Sequence, residues 1–222
     1  MKFIANVDPA DFGLRTDGLD VETTIVIISS KSFTTMETAL NLALVKEWFL
    51  NSIKSIRPDL KEEEVFARHF LASTANPALA NKAGFHDDSI FKFWDWVGGR
   101  YSVSSACSVL PLSIAIGSQF VDSFLSGMRD MDNHFKDETD IRKNIPALLG
   151  MIDYFHVNVQ DYAVKCLIPY STPLHSFLMH IAQLEMESNG KIVHYDANGS
   201  PLNLTGGVVF GDVGSNQQHS FF

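Results

Sequence analysis

Four segments gather side chains able to handle an anionic, polar ligand. In Ser29-Ser30-Lys31-Ser32-Phe33-Thr34-Thr35-Met36-Glu37, a β-branched run gives way to a helical pattern. Backbone N–H groups at a helix N-terminus, hydroxyls and one ammonium make a ready anion site, the dipole adding about 0.3–1 kcal/mol. Thr34-x-x-Glu37 also fits a simple capping box. In Phe93-Trp94-Asp95-Trp96-Val97-Gly98-Gly99-Arg100-Tyr101-Ser102, glycines let a ligand approach the backbone while the Arg100 guanidinium reaches over it. The alternative is a tight turn with an exposed arginine and core-filling aromatics.

In Gln183-Leu184-Glu185-Met186-Glu187-Ser188-Asn189-Gly190-Lys191, a helix ends in carboxylates just before a glycine. Gln183 and Glu187 are four apart and share a face. A positioned Glu187 is a candidate general base, worth about 10²–10⁴ in rate; a solvated helix end is the other reading. Gly211-Asp212-Val213-Gly214-Ser215-Asn216-Gln217-Gln218-His219 ends in a histidine suited to acid–base work near neutrality, or else to a structural role. The other seven histidines show no ligand spacing, and no metal site is expected.

The elements that hold these segments follow from periodicity. Lys2–Val7 predicts a strand entering a turn at Asp8-Pro9. Thr23–Ser29, β-branched at nearly every residue, predicts a strand covered on both faces, as in a parallel sheet. Leu40, Leu44, Val45, Trp48 and Phe49 recur at helical spacing, and that helix ends before Pro58. His69–Ser73 and Ile90–Trp94 predict two more strands with a brief helix between them. This order favours an open α/β sheet with right-handed crossovers. Residues 102–155 read as mostly helical, broken at Pro111, Gly127 and Pro146, with a charged patch over Asp137–Lys143. A second α/β unit begins with a strand at Ala163–Pro169, a helix over Leu174–Met186 and a strand at Gly206–Phe210. Ser220-Phe221-Phe222 reads as an apolar run cut in mid-element.

Composition excludes other classes. The 222 residues are 45% apolar and 19% charged, with a net charge of -9. Without a basic stripe, this is no nucleic-acid binder. No apolar run approaches the ~18 residues of a membrane span. Cys107 and Cys166 lie in apolar stretches and read as buried free thiols of a cytoplasmic protein.

Together and in this order, the four segments resemble the glucose-6-phosphate isomerase family. Ser30–Thr38 is similar to its sugar-phosphate loop, Trp94–Ser102 to its signature stretch, Met186–Lys191 to its catalytic-base motif and Gly214–His219 to its histidine motif. Weaker likeness covers the rest, including Met131–Phe135 and Thr205-Gly206. The resemblance implies an aldose–ketose isomerase of glycolysis and gluconeogenesis, without metal or cofactor. It also implies three-layer α/β/α sugar-isomerase (SIS) domains with mainly parallel sheets, both incomplete here. By position, Ser30, Lys31, Ser32, Thr34 and Thr35 would hold the phosphate. Gly99 and Arg100 would face the enediolate, and Gln183 would line the sugar site. Glu187 would move the proton, and His219 would help open the ring, entering from the other subunit of a homodimer.

Residues 1–115 are expected to be the C-terminal part of a first domain, 116–150 a helical connection, and 151–222 the N-terminal part of a second. The resemblance implies a longer protein, with a glycine-rich loop before Met1 and a lysine and a glutamine beyond Phe222. The 222-residue piece alone is expected to be inactive. Three positions depart from the family: Met36 for glutamine, Ser108 for glycine, and Gln217 for a glycine, the last expected to disturb the loop that aims His219. A phosphosugar-binding module without turnover is the competing reading.

Overall fold

The computed structural model describes residues 1–191, 195–200 and 205–221; Phe222, the end of the expected cut apolar run, lies outside them. Lys2–Val7 is not a strand. Asp8 caps α1 (Pro9–Thr16), its Oδ1 accepting the Ala10 N–H at 2.9 Å, with proline in the first turn. An aspartate N-cap followed by proline fits a helix start better than a strand end.

Two compact units are present, Met1–Ser126 and Gly127–Phe222. In the first, β1 (Val26–Ser29) leads into α2 (Met36–Ile56) and α3 (Glu62–His69). Next come β2 (Phe70–Thr74), α4 (Pro77–Lys82), β3 (Ile90–Lys92) and α5 (Ala106–Ile116). The strands pair in the order β1-β2-β3, all parallel, with Ser29 opposite Ser73 and Ser73 opposite Phe91. Parallel neighbours require crossovers, which α2, α3 and α4 supply. Ile28, Phe70 and Ala72 point into one core with Val45, Phe49, Leu50, Ile53 and Phe66. Phe66 stacks on Phe70 at 4.4 Å, and Phe49 meets Phe70 edge-on at 5.3 Å. Phe49 is fully buried. Phe49→Ala is expected to lower unfolding free energy by about 3–5 kcal/mol; chemical denaturation of the full-length protein checks this, and a loss below about 1 kcal/mol would contradict the packing.

Pro111 does not break α5. A helical proline leaves the carbonyl four residues back without its N–H donor. Here that carbonyl, on Cys107, accepts the Ser29 hydroxyl at 3.4 Å, so the missing bond is replaced from the end of β1. The helix stops instead at Gly117, at φ +93°. Gly127 lies inside α6 (Ser118–Asp137). Pro146 sits in the first turn of α7 (Ile145–Asn158), which Asn144 caps by accepting the Ala147 N–H at 3.1 Å. The charged patch at 137–143 is the link between α6 and α7.

In the second unit β4 (Val164–Cys166) and β5 (Val208–Phe210) pair in parallel, shorter than the sequence suggests. The expected helix starts as a 3-10 turn at Thr172–Leu174, continues as α8 (His175–Ala182) and finishes as a π-helix over Gln183–Asn189. After β5 comes α9 (Gly214–Phe221). Among the described residues, no helix is long and apolar enough to cross a membrane.

Candidate active site

In the first unit the turn between β1 and α2 is built by its own hydroxyls. The Ser30 side chain is buried and its Oγ accepts the Phe33 N–H at 3.2 Å. Phe33 adopts φ +58°, a left-handed conformation that costs a non-glycine residue roughly 1–3 kcal/mol. Its ring offsets this by meeting Phe85 edge-on at 5.8 Å. Ser32 Oγ accepts both the Thr34 N–H (3.2 Å) and the Thr34 hydroxyl (2.7 Å). The capping box over Thr34 and Glu37 does not form. The N-cap is Thr35, which makes no side-chain capping bond, because the left-handed turn advances the helix start by one residue. Lys31, Ser32, Thr34 and Thr35 are exposed at the head of a 21-residue helix. The Lys31 and Ser32 carbonyls face inward and accept from Ala75 and Asn76, which pins the turn to the segment after β2.

The glycine–arginine segment follows β3. Phe93 is buried, but Trp94 is 53% and Trp96 73% exposed, so these two do not fill the core. They stack on each other at 5.2 Å, with Lys92 Nζ 5.5 Å from the Trp94 ring. Gly99 and Arg100 open a 3-10 helix, Gly99–Ser104, and a side chain at Gly99 would meet open space. Gly99 therefore leaves room for a ligand without being required by backbone geometry. β1 and β3 flank β2 in a parallel sheet, so both segments leave its carboxyl edge, where α/β sheets bind ligands.

In the second unit Gln183 and Glu187 lie on the π-helix and both are exposed. Such turns are rare and frequent at functional sites; the i, i+4 spacing gives no hint of one. Two carboxylates, Glu185 and Glu187, lie on this helical segment. Glu185 pairs with Lys165 at 3.5 Å, and Lys165 also binds Asp153 at 2.8 Å. Glu187 is exposed, and its carbonyl accepts Lys191 Nζ at 2.6 Å.

His219 lies exposed on α9. The start of this helix is fastened at several points. Gly211 has φ +145°, and a side chain there would collide with the Leu167 carbonyl. A side chain at Gly214 would come within 2.6 Å of the Tyr170 ring, whose hydroxyl accepts from Gln218 Nε2 at 2.8 Å. Asp212 Oδ1 accepts the Val213 N–H and lies 2.7 Å from His175 Nδ1; Oδ2 accepts Gln217 Nε2 at 3.3 Å. The Val213 N–H first, and His175 next, hold the Asp212 carboxyl below its ordinary range. Gln217, where the family has a glycine, is thus bonded into the loop. Sequence reasoning missed Asp212, His175 and Tyr170, because their partners lie 37 and 48 residues away.

Topology separates the Glu187 segment from the start of α9 within this unit. His175, at the start of α8, touches Asp212 beyond the carboxyl end of β5. At the other end a side chain on Gly206, just before β5, would meet the Glu185 carbonyl at 2.8 Å and the Asn189 Cβ at 3.1 Å. The π-helix carrying Glu187 and the start of α9 therefore lie at opposite ends of the strand pair.

The family model for phosphoglucose isomerase matches residues 1–222. The chain belongs to the phosphoglucose isomerase family. A relative named as cytosolic glucose-6-phosphate isomerase, from Arabidopsis thaliana, is 44% identical over all of this chain and 38% of its own length. Glucose-6-phosphate isomerase of Plasmodium falciparum is also 44% identical, over 36% of its length. The crystal structure of a glucose-6-phosphate isomerase from Chlamydia trachomatis superposes with a TM-score of 0.82 at 34% identity, covering 98% of this chain and 40% of that one. A hypothetical protein from Thermus thermophilus gives 0.74 at 25% identity, over 97% and 47%. The chain therefore spans about 38% of the length of the Arabidopsis relative, and its parallel α/β architecture is that of the phosphoglucose isomerase fold.

Proposed function

We propose that the protein containing this chain interconverts glucose 6-phosphate and fructose 6-phosphate through an enediol(ate). Lys31 and the hydroxyls of Ser32, Thr34 and Thr35 hold the phosphate at the head of α2, and Ser30 shapes the turn by accepting the Phe33 N–H and donates its one hydroxyl proton. Phosphate binding is remote from the reacting carbons and serves to orient them. Glu187 removes the proton from C2 of the open-chain aldose and returns it to C1, while the hydroxyl proton passes from O2 to O1. Arg100, beside Gly99, faces the negative charge that develops on the oxygens. Gln183 lines the sugar, and His219 assists ring opening.

What carries this reading is the family match across the whole chain. The homodimer, with His219 completing the partner's site, follows from the resemblance of Gly214–His219 to the family's histidine motif. The two units are read as parts of two sugar-isomerase domains, 1–115 and 151–222, joined by 116–150. The cytosolic placement of the Arabidopsis and rice relatives is carried over with the function.

The test is conversion of glucose 6-phosphate by the full-length protein and by the 222-residue chain in parallel. The full-length protein is expected to turn over. The isolated chain is expected to be slower by about 10² or more, since a misplaced site loses at least that much and Val208, Met179 and Leu149 are left more than half exposed. Saturable sugar-phosphate binding without turnover by the full-length protein would favour a binding module instead.

A further inference from the structure

We propose that Asp212 is a positioning residue that sets the aim of His219 by clamping the start of α9 to the start of α8. This rests on the assignment of His219 to the reaction.

The argument is one of bond count and placement. A carboxylate only accepts hydrogen bonds, so its two oxygens can gather donors from separate elements. Asp212 takes one from the backbone of the next residue (Val213 N–H, 2.7 Å), one from α9 (Gln217 Nε2, 3.3 Å) and one from α8 (His175 Nδ1, 2.7 Å). With an ionised carboxylate opposite it, His175 must carry its proton on Nδ1. The Val213 bond fixes the backbone where the chain turns into α9. The Gln217 bond fixes the first turn's rotation about the helix axis, two residues before His219. The His175 bond prevents that corner from moving relative to α8.

Two further tethers, the Gly214 N–H to the Pro169 carbonyl at 2.8 Å and Gln218 to the Tyr170 hydroxyl, come from the loop after β4. The Asp212 carboxylate instead joins α9 to the helix that continues into the Glu187 segment. His219 is exposed on α9, so a rotation of that helix shifts the imidazole with little cost in core packing. Asp212 and His175 are themselves 37% and 57% exposed. An ion pair that open adds little stability, so its removal should be felt in aim rather than in folding.

The experiment is a double-mutant cycle in the full-length protein with Asp212→Ala, His219→Ala and both together. Asp212→Ala alone is expected to lower kcat about tenfold with KM within about twofold, and the same substitution in the His219→Ala background to lower it less than twofold. Such non-additivity marks residues acting through one another. An equal loss in both backgrounds would overturn the proposal, since a general structural defect does not depend on His219. Unchanged kcat in the single variant would overturn it as well. Should Asp212→Ala fail to fold by circular dichroism, the cycle is run with Asp212→Asn, which keeps the volume and one acceptor but removes the charge. If His219→Ala itself turns over normally, the assignment of His219 fails, a result distinct from additivity in the cycle.

Discussion

Glu187→Gln in the full-length protein is expected to lower kcat by about 10²–10⁴, the range that a general base supplies, with KM changed less than threefold. The amide keeps the shape and one acceptor oxygen but cannot take a proton from C2. The neighbouring Glu185→Gln is the informative comparison. Glu185 is paired with Lys165, which retains Asp153 as a second partner, so its neutralisation should cost less than about fivefold. Steady-state rates with both variants, together with exchange of the C2 hydrogen into deuterated water, check this. Turnover that survives in Glu187→Gln and collapses in Glu185→Gln would move the base by two residues and sink the assignment.

Arg100→Ala is expected to lower kcat/KM by about 10²–10³, the loss typical of removing one charge-stabilising donor from a developing oxyanion. Because the guanidinium is read as serving the intermediate more than the ground state, a stable planar anion resembling the enediolate should lose affinity by a similar factor. Glucose 6-phosphate itself should bind almost as before. Arg100→Lys should recover only part of the rate, since a point charge does not reproduce the planar fork. Equal losses for substrate and for the planar anion would show that Arg100 contributes ordinary binding instead.

The two substitutions probe segments that the sequence marks very unequally. Val26–Ser29 and Phe70–Thr74 were legible as strands because β-branched and apolar residues crowd a short window, and that pattern has few other uses. The α2 helix was legible from its apolar stripe. Lys2–Val7 misled because a short apolar run precedes Asp8-Pro9, and the capping chemistry of that pair outweighs a few residues of strand propensity. Pro111 misled for a different reason. Whether a proline breaks a helix depends on who takes the orphaned carbonyl, and Ser29 is 78 residues from Cys107.

The site shows the same division. Its residue types were visible, since hydroxyls, a glycine pair, carboxylates and a terminal histidine stand in contiguous motifs. Its geometry was not. The left-handed Phe33 is invisible in a sequence, because the conformation is one that phenylalanine adopts only when its ring is held elsewhere. The π-helix at Gln183–Asn189 has the same residue pattern as an ordinary helix end. The bonds around Asp212 join segments that periodicity treats as unrelated.

Phe33 has a wider consequence. Its ring leans on Phe85, which meets Phe66 at 4.8 Å, and Phe66 stacks on Phe70. The turn that presents Lys31 and its hydroxyls is thus the outermost member of an aromatic chain reaching the centre of the sheet. Drift in the interior therefore has a route to ligand affinity without passing through any residue that touches the ligand. If the turn binds sugar phosphate as proposed, Phe66 and Phe85 are places where adaptation to temperature and adaptation to substrate concentration act on the same side chains and constrain one another.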